Sequence, residues 1–450
     1  MVRDAHRERG RRRWGGRSLT AAVLAIALVV PLGCSAMPSE EPVHLLIKVP
    51  RTSHDAIFDD SITEVDQVVS RMAEAFERDY EGAEVNIEVE VFEQNQYDAA
   101  VVDAFDTEEA PDVLYGDYFN MSTYIHSGRV VPLDDAIDEE WREDVFDYLW
   151  AMSTVDGRVY MMPYLARQNV LAYKKDLFVQ AGLERYIQDG VIGSWTLEEW
   201  TFILDALTTN LPENVYPMMM YAASSQGDTH IMTLLRSAGS SFFDEDGHFA
   251  LSTPEGIAAL RWIQDGVDRG WFPPHSENLE IEACSSLFRQ DQLAIYMVNN
   301  ASIGRYGDTI GLVNFPGPDE EGCATTFVSG FEVFDNGDPR KVQVAKDFLA
   351  YVYDDEELLG YAAGALPASR SVAERSADRI PLFDQFMENR RHVVDFTGSN
   401  PDTRAVREIF HGVIHDLLMD FVTPEEAAAA LDERCNRAID EGVASSTLHL

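Results

Sequence analysis

Positive charge is scarce in this chain. Lysine and arginine number 35 against 78 aspartates and glutamates, for a formal net charge of −43. Lysine itself occurs only at Lys48, Lys174, Lys175, Lys341 and Lys346. So acidic a body repels phosphate backbones and anionic headgroups, which excludes nucleic acid as a partner and membrane adhesion by charge. Cysteine is scarcer still, at four residues, with no CxxC and no Cys/His cluster. That excludes a disulfide-built scaffold and supplies no zinc-ligand spacing. GxSxG, HExxH, P-loop and GxGxxG motifs are missing, as are internal repeats, so neither metal nor cofactor is expected.

What is present begins at the N-terminus. Residues 1–33 hold seven arginines against Asp4 and Glu8, and an apolar stretch from Leu19 to Val30 follows the basic start. The net of +5 there leaves −48 for the rest of the chain. A basic segment, a short apolar segment and small residues before a cut are the marks of an export signal. The apolar run is too short to span a bilayer comfortably. Gly33-Cys34 resembles the bacterial lipoprotein box, with Pro31 where an aliphatic residue is usual. That resemblance implies a signal at 1–33, acylation of Cys34 and a tether over 34–42. The alternative is an incidental cysteine after an ordinary signal.

Some 415 remaining residues exceed one small core, so two domains are expected. Val43–Val49 reads as a strand, Ile62–Tyr80 as a helix, and Val85–Phe92 alternates as a strand. Tyr97–Phe105 reads as helix and Asp112–Tyr115 as strand. Strands alternating with helices predict an α/β fold with a mostly parallel sheet. Ligands of such sheets sit at strand carboxyl ends. That selects Arg51 and Thr52, then Gln94 and Asn95, then Gly116, Asp117 and Tyr118. Helix starts are legible at Thr196 (a capping box with Glu199), Thr253-Pro254, Asp338-Pro339 and Thr423-Pro424. Asp244 to Gly247 reads as a tight turn between Phe243 and Phe249. Cys435 has the helical spacing of a buried apolar position. Cys284 and Cys323 are the expected disulfide pair.

Tyr160–Leu183 reads YMMPYLARQNVLAYKKDLFVQAGL. This closely resembles the YGLPY…LxYNKDLFxxAGL segment of sugar-type extracellular solute-binding proteins of ABC importers. Further resemblances follow in family order. They are Pro111-Asp112-Val113 with Gly116-Asp117, Val131-Pro132-Leu133-Asp134, Trp195-Thr196-Leu197-Glu198-Glu199, Phe327-Val328-Ser329-Gly330-Phe331 and Gly364-Ala365-Leu366-Pro367-Ala368. The resemblance covers nearly the whole chain after the signal. It implies two discontinuous α/β lobes joined by crossover strands, with a ligand cleft between them. The expected lobes are 43–165 with 302–333, and 166–301 with 334–450. It also implies a non-catalytic monomer, held on the extracytoplasmic face of the cell membrane by its lipid anchor. There it would capture a small solute and pass it to ABC permease subunits. It sets Ser329, Gly330 and Phe331 beside the cleft.

The chemistry of a sugar selects residues independently. Aromatic rings cover its C–H faces, while Asp, Asn, Gln and Arg bond its hydroxyls. Tyr118, Tyr221, Tyr296 and Trp271 are candidates for stacking. Asp117, Asn95, Arg167, Gln168, Asn299 and Asn300 are candidates for hydrogen bonds. Bland readings stand beside these. Tyr296 is cleft or strand core, Trp271 a packed loop anchor, and Asp117 a helix cap as well as a contact. Arg167, on an apolar crossing, requires a partner: a structural carboxylate, or an acidic or hydroxylated ligand. Two other functions remain in view, an exported carbohydrate-active lipoprotein enzyme and a binder of sugar phosphate or polyamine. Turnover of a glycoside would separate the first from saturable binding.

Overall fold

The computed structural model describes residues 41–52, 62–93, 97–240, 242–244, 247–317, 321–394 and 403–446. Cys34 and Asn95 therefore lie outside the described residues. Strands β1 (Val43–Arg51), β2 (Val85–Glu93) and β3 (Val113–Asp117) begin the main sheet, with β1 central and parallel to both neighbours. Its residues 47–50 are all buried before the exposed Arg51, whereas β2 alternates between sheltered and exposed residues as an edge strand does. The Val65–Asp79 helix covers this sheet with Val65, Val68, Val69, Met72 and Phe76, the face its 3.6-residue period sets apart.

A small hairpin, β4 (Thr154–Val155) with β5 (Arg158–Val159), precedes the spine of the molecule. That spine is β6 (Met162–Lys174), thirteen residues long and buried at all but Arg167. The strands β7 (Ile192–Gly193), β8 (Tyr216–Met218), β9 (Leu293–Asn299), β10 (Ile310–Val313), β11 (Thr325–Val333) and β12 (Leu366–Pro367) complete the sheet. The first half of β6 pairs with β11 and β12, and its second half with β9 and β10. One strand thus belongs to two layers, and the fold is the two-lobed α/β arrangement.

The capping box at Thr196 forms as expected: its hydroxyl accepts from the Glu199 amide at 3.1 Å, and Glu199 accepts from the Thr196 amide at 3.0 Å. Helices Pro254–Asp268, Pro339–Asp354 and Pro424–Ser446 start at the expected prolines. The turn at Asp244 closes with a bridge between Phe243 and Phe249.

β10 pairs with residues 171–174 of β6 and with β7. The Pro339–Asp354 helix packs on β1 and on the Val65–Asp79 helix, and Ser371 bonds Asp144. One expectation is corrected: the Cys284–Cys323 bridge is not made. Cys284 is a buried free thiol that donates to the carbonyl of Met220, and burial pushes its pKa up to about 12.

Candidate functional site: an acid and a guanidinium on one hydroxyl

The carboxyl end of β3 presents Asp117, whose ladder partner on β11 is Ser329. The Ser329 hydroxyl donates to the Asp117 carboxylate at 2.5 Å. Arg167, from the neighbouring crossing of β6, donates from Nη1 to the Ser329 Oγ at 3.1 Å. A hydroxyl has one proton and two lone pairs, so a single serine holds both charges at once. Both charged side chains remain partly exposed. Among the described residues Arg167 makes no ion pair, although acids outnumber bases twofold in this chain. Its remaining guanidinium donors are therefore available on the sheet's open face.

An aromatic wall stands beside this trio. Phe327 is paired with Arg167 across the β11–β6 ladder, so the two side chains share a face. Its ring lies 5.0 Å from that of Phe119, which in turn lies 4.7 Å from Tyr118. Phe327 also lines a cavity of about 730 Å³, with Asn169, Tyr296, Asn299 and Ser302. That space is large enough for a small solute. Tyr296 stands at the middle of β9 and Asn299 at its carboxyl end, the second lobe's counterpart of the β3 end. Asn299 has its oxygen engaged by the amides of Ala301 and Ser302, leaving its NH₂ as the group to offer.

The second lobe approaches Phe119 from another side. Arg407, on the Thr403–Leu418 helix, forms a 2.5 Å ion pair with Asp228 and holds its guanidinium 5.7 Å from the Phe119 ring centroid. Asp228 is almost wholly buried, so the pair is well shielded from water.

Other expected site residues lie elsewhere. Arg51 does end β1, but it is exposed and bound to Glu64 and Glu93. Tyr118 is buried beneath Phe119 rather than open for stacking. Tyr221 is buried in the second lobe, its ring stacked 3.9 Å from His230. Phe331 is core, packed against Tyr115 and Tyr164. Gly116 faces Gly330 on the adjacent strand, and a Cβ on Gly330 would stand 2.2 Å from the carbonyl oxygen of Met162. Gly330 serves close backbone approach. Gln168 points to the opposite face, where it joins Asn389 and Asn314 in a buried amide network. Asn300 accepts there from the Gln168 backbone. Trp271 is a packed anchor, its indole nitrogen bonded to Asp205.

Phe119, Asn169, Asp228, Phe327 and Arg407 were not selected from the sequence. Phe119 and Phe327 adjoin selected residues, and an aromatic following an expected ligand loop was a usable signal. Arg407 gave none: it sits in an ordinary amphipathic helix far along the chain.

Two α/β lobes sharing a spine strand, with polar groups gathered at strand carboxyl ends, define a solute-binding protein. The chain belongs to the bacterial extracellular solute-binding protein family, whose model matches residues 59–358. A binding protein of Brucella abortus (strain 2308) is 23% identical over 172 residues, which is 38% of this chain and 40% of that protein. The match thus spans about two fifths of that relative's length. Solved structures are similar throughout. A solute-binding protein of Thermotoga lettingae with α-D-tagatose superposes with a TM-score of 0.70 at 18% identity, over 88% of this chain and 100% of that one. The GacH receptor of Streptomyces glaucescens, solved with acarbose, gives 0.70 at 17% identity, over 89% and 100%. T. maritima MalE3 with maltose gives 0.68 at 16% identity, over 88% and 99%. At such identities the likeness establishes the fold. Among the described residues no helix is long and apolar enough to cross a membrane.

Proposed function

We propose that this protein captures a sugar or oligosaccharide between its lobes and hands it to the permease subunits of an ABC importer. The observation that carries the reading is the Asp117–Ser329–Arg167 trio beside the Phe119–Phe327 wall. A carboxylate accepts hydroxyl protons, a guanidinium donates to hydroxyl oxygens, and rings cover C–H faces. Asn169, Tyr296 and Asn299 extend the same surface into the 730 Å³ cavity. A solute touching both lobes favours the closed form by its differential affinity. The tagatose, maltose and acarbose of the similar structures support the carbohydrate class. Saturable binding without turnover, measured by calorimetry against mono- and oligosaccharides, tests the reading. Hydrolysis of a bound glycoside would instead make the protein an enzyme.

The same reading makes Cys34 the lipid anchor on the outer face of the cell membrane. Two or three acyl chains hold far more firmly than one. Cys34→Ala should release the protein from the membrane fraction; unchanged retention would remove the anchor from the account.

A further inference from the structure

Gln168 follows Arg167 on β6 and turns to the other face of the sheet. Each of its polar groups is engaged. Its backbone N–H donates to Asn300 Oδ1 at 2.7 Å, and its carbonyl accepts from the Asn300 N–H at 3.3 Å. Its Oε1 accepts from Asn389 Nδ2 at 2.9 Å, and its Nε2 donates to the Phe386 carbonyl at 3.3 Å. Asn389 and Asn314 bond reciprocally, Nδ2 to Oδ1 in each direction, at 2.8 and 2.9 Å. Asn314 also donates to the Glu321 carbonyl at 3.3 Å.

The side chains of Gln168, Asn314 and Asn389 are all buried. A carbonyl requires a donor, so Phe386 and Glu321 fix which end of Gln168 and of Asn314 is nitrogen. The bonds between them then leave one orientation for Asn389. Buried amides are costly unless bonded, and three linked amides bonded at both ends hold a single geometry. They tie β6 to the residue after β10 and to the end of the Phe383–Asn389 helix.

Arg167, one residue earlier, is held differently. Among the described residues its guanidinium has a single hydrogen bond, to Ser329. The head of so long a side chain is placed only as firmly as the backbone that carries it. We infer that Gln168 and Asn389 are positioning residues for Arg167. The amide network behind the sheet holds the crossing of β6, so that the guanidinium is set before a solute arrives. This role presupposes that Arg167 holds a sugar, as proposed above, and assigns the task of placing it to residues that touch no solute.

Calorimetry of the full chain tests the role against maltose, α-D-tagatose and acarbose, the solutes of the similar structures. Four proteins are compared: wild type, Arg167→Ala, Gln168→Met and the double variant. Methionine is unbranched and flexible like glutamine but makes no amide bond. Gln168→Met should weaken binding roughly 5-fold or more when Arg167 is present, and change nothing further once Arg167 is gone. Asn389→Ala, which reaches Arg167 only through Gln168, should repeat that pattern, and it carries the cycle if Gln168→Met does not fold. A network that only stabilises the fold would lower melting temperatures and leave the affinity of the folded variants unchanged. That result, or equal losses with and without Arg167, would overturn the positioning role alone. Wild-type affinity in Arg167→Ala, or binding of none of the three solutes, would overturn the proposed capture by Arg167 and the positioning role with it.

Discussion

Asp117 and Ser329 face each other on antiparallel strands, and the Ser329 hydroxyl donates to the Asp117 carboxylate at 2.5 Å. The arrangement fixes the carboxylate without neutralising it. It also fixes Arg167, which shares that hydroxyl. Three polar groups are thereby held in place before any solute arrives, so little ordering remains to be done on binding.

Ser329→Ala should leave Asp117 and Arg167 in place chemically but loosen both. We expect solute affinity to fall by roughly 5- to 12-fold, the equivalent of about 1–1.5 kcal/mol, the scale of one hydrogen bond. Folding should be retained. Calorimetry on the variant checks this, and unchanged affinity would show that the hydroxyl does not organise the pair.

Phe119 is pressed between Phe327 and the Arg407 guanidinium. Arg407→Ala leaves the buried Asp228 carboxylate without its ion pair. A loss of about 1–3 kcal/mol of stability is expected. The double variant Arg407→Ala with Asp228→Asn should recover part of it, because the uncompensated charge is gone. Denaturant midpoints of the three proteins measure the coupling.

His230 is fully buried and neither ring nitrogen is bonded, so burial lowers its pKa from 6.5 to about 3. Between those values the unfolded chain binds a proton that the folded chain does not. Stability contributed at neutral pH is therefore lost as pH falls from about 6.5 toward 3, with a limiting slope of about 1.4 kcal/mol per unit. His230→Phe retains a ring against Tyr221 and should remove that slope. Urea titrations at pH 7 and pH 5 on both proteins test it.

Glu332 behaves in the opposite sense. It is buried on β11 with neither carboxyl oxygen bonded, and burial raises its pKa well above 4.5. The folded chain retains a proton that the unfolded chain releases above about 4.5, so this residue's contribution declines as pH rises. Glu332→Gln should be more stable than wild type at pH 7, with the advantage vanishing near pH 4. An advantage independent of pH would mean that the carboxyl does not titrate as burial dictates.

Local features were legible in the sequence because their causes are local. The Val65–Asp79 helix, the alternating β2 and the Thr196 capping box follow from spacing within a few residues. The candidate site is legible where it rests on strand ends, at Asp117, or on an arginine out of place, at Arg167. It was not legible where facing decides. Tyr221 and Phe331 have the same residue chemistry as a cleft wall, and only packing against His230 and Tyr115 reveals them as core. β10 and the Pro339–Asp354 helix choose their partners by tertiary packing, for which nearby sequence carries no sign. Arg407 joins Asp228 at a sequence separation of 179 positions.

The central claim is that Asp117 and Arg167 hold a carbohydrate in the cleft. The most direct measurement is calorimetry of Asp117→Ala and Arg167→Ala against the sugar that gives the largest thermal stabilisation in a mono- and oligosaccharide screen. Removing a polar partner of a buried ligand should weaken binding by about 1–3 kcal/mol, or roughly 5- to 150-fold, with the fold intact. Wild-type affinity in both variants would contradict the account.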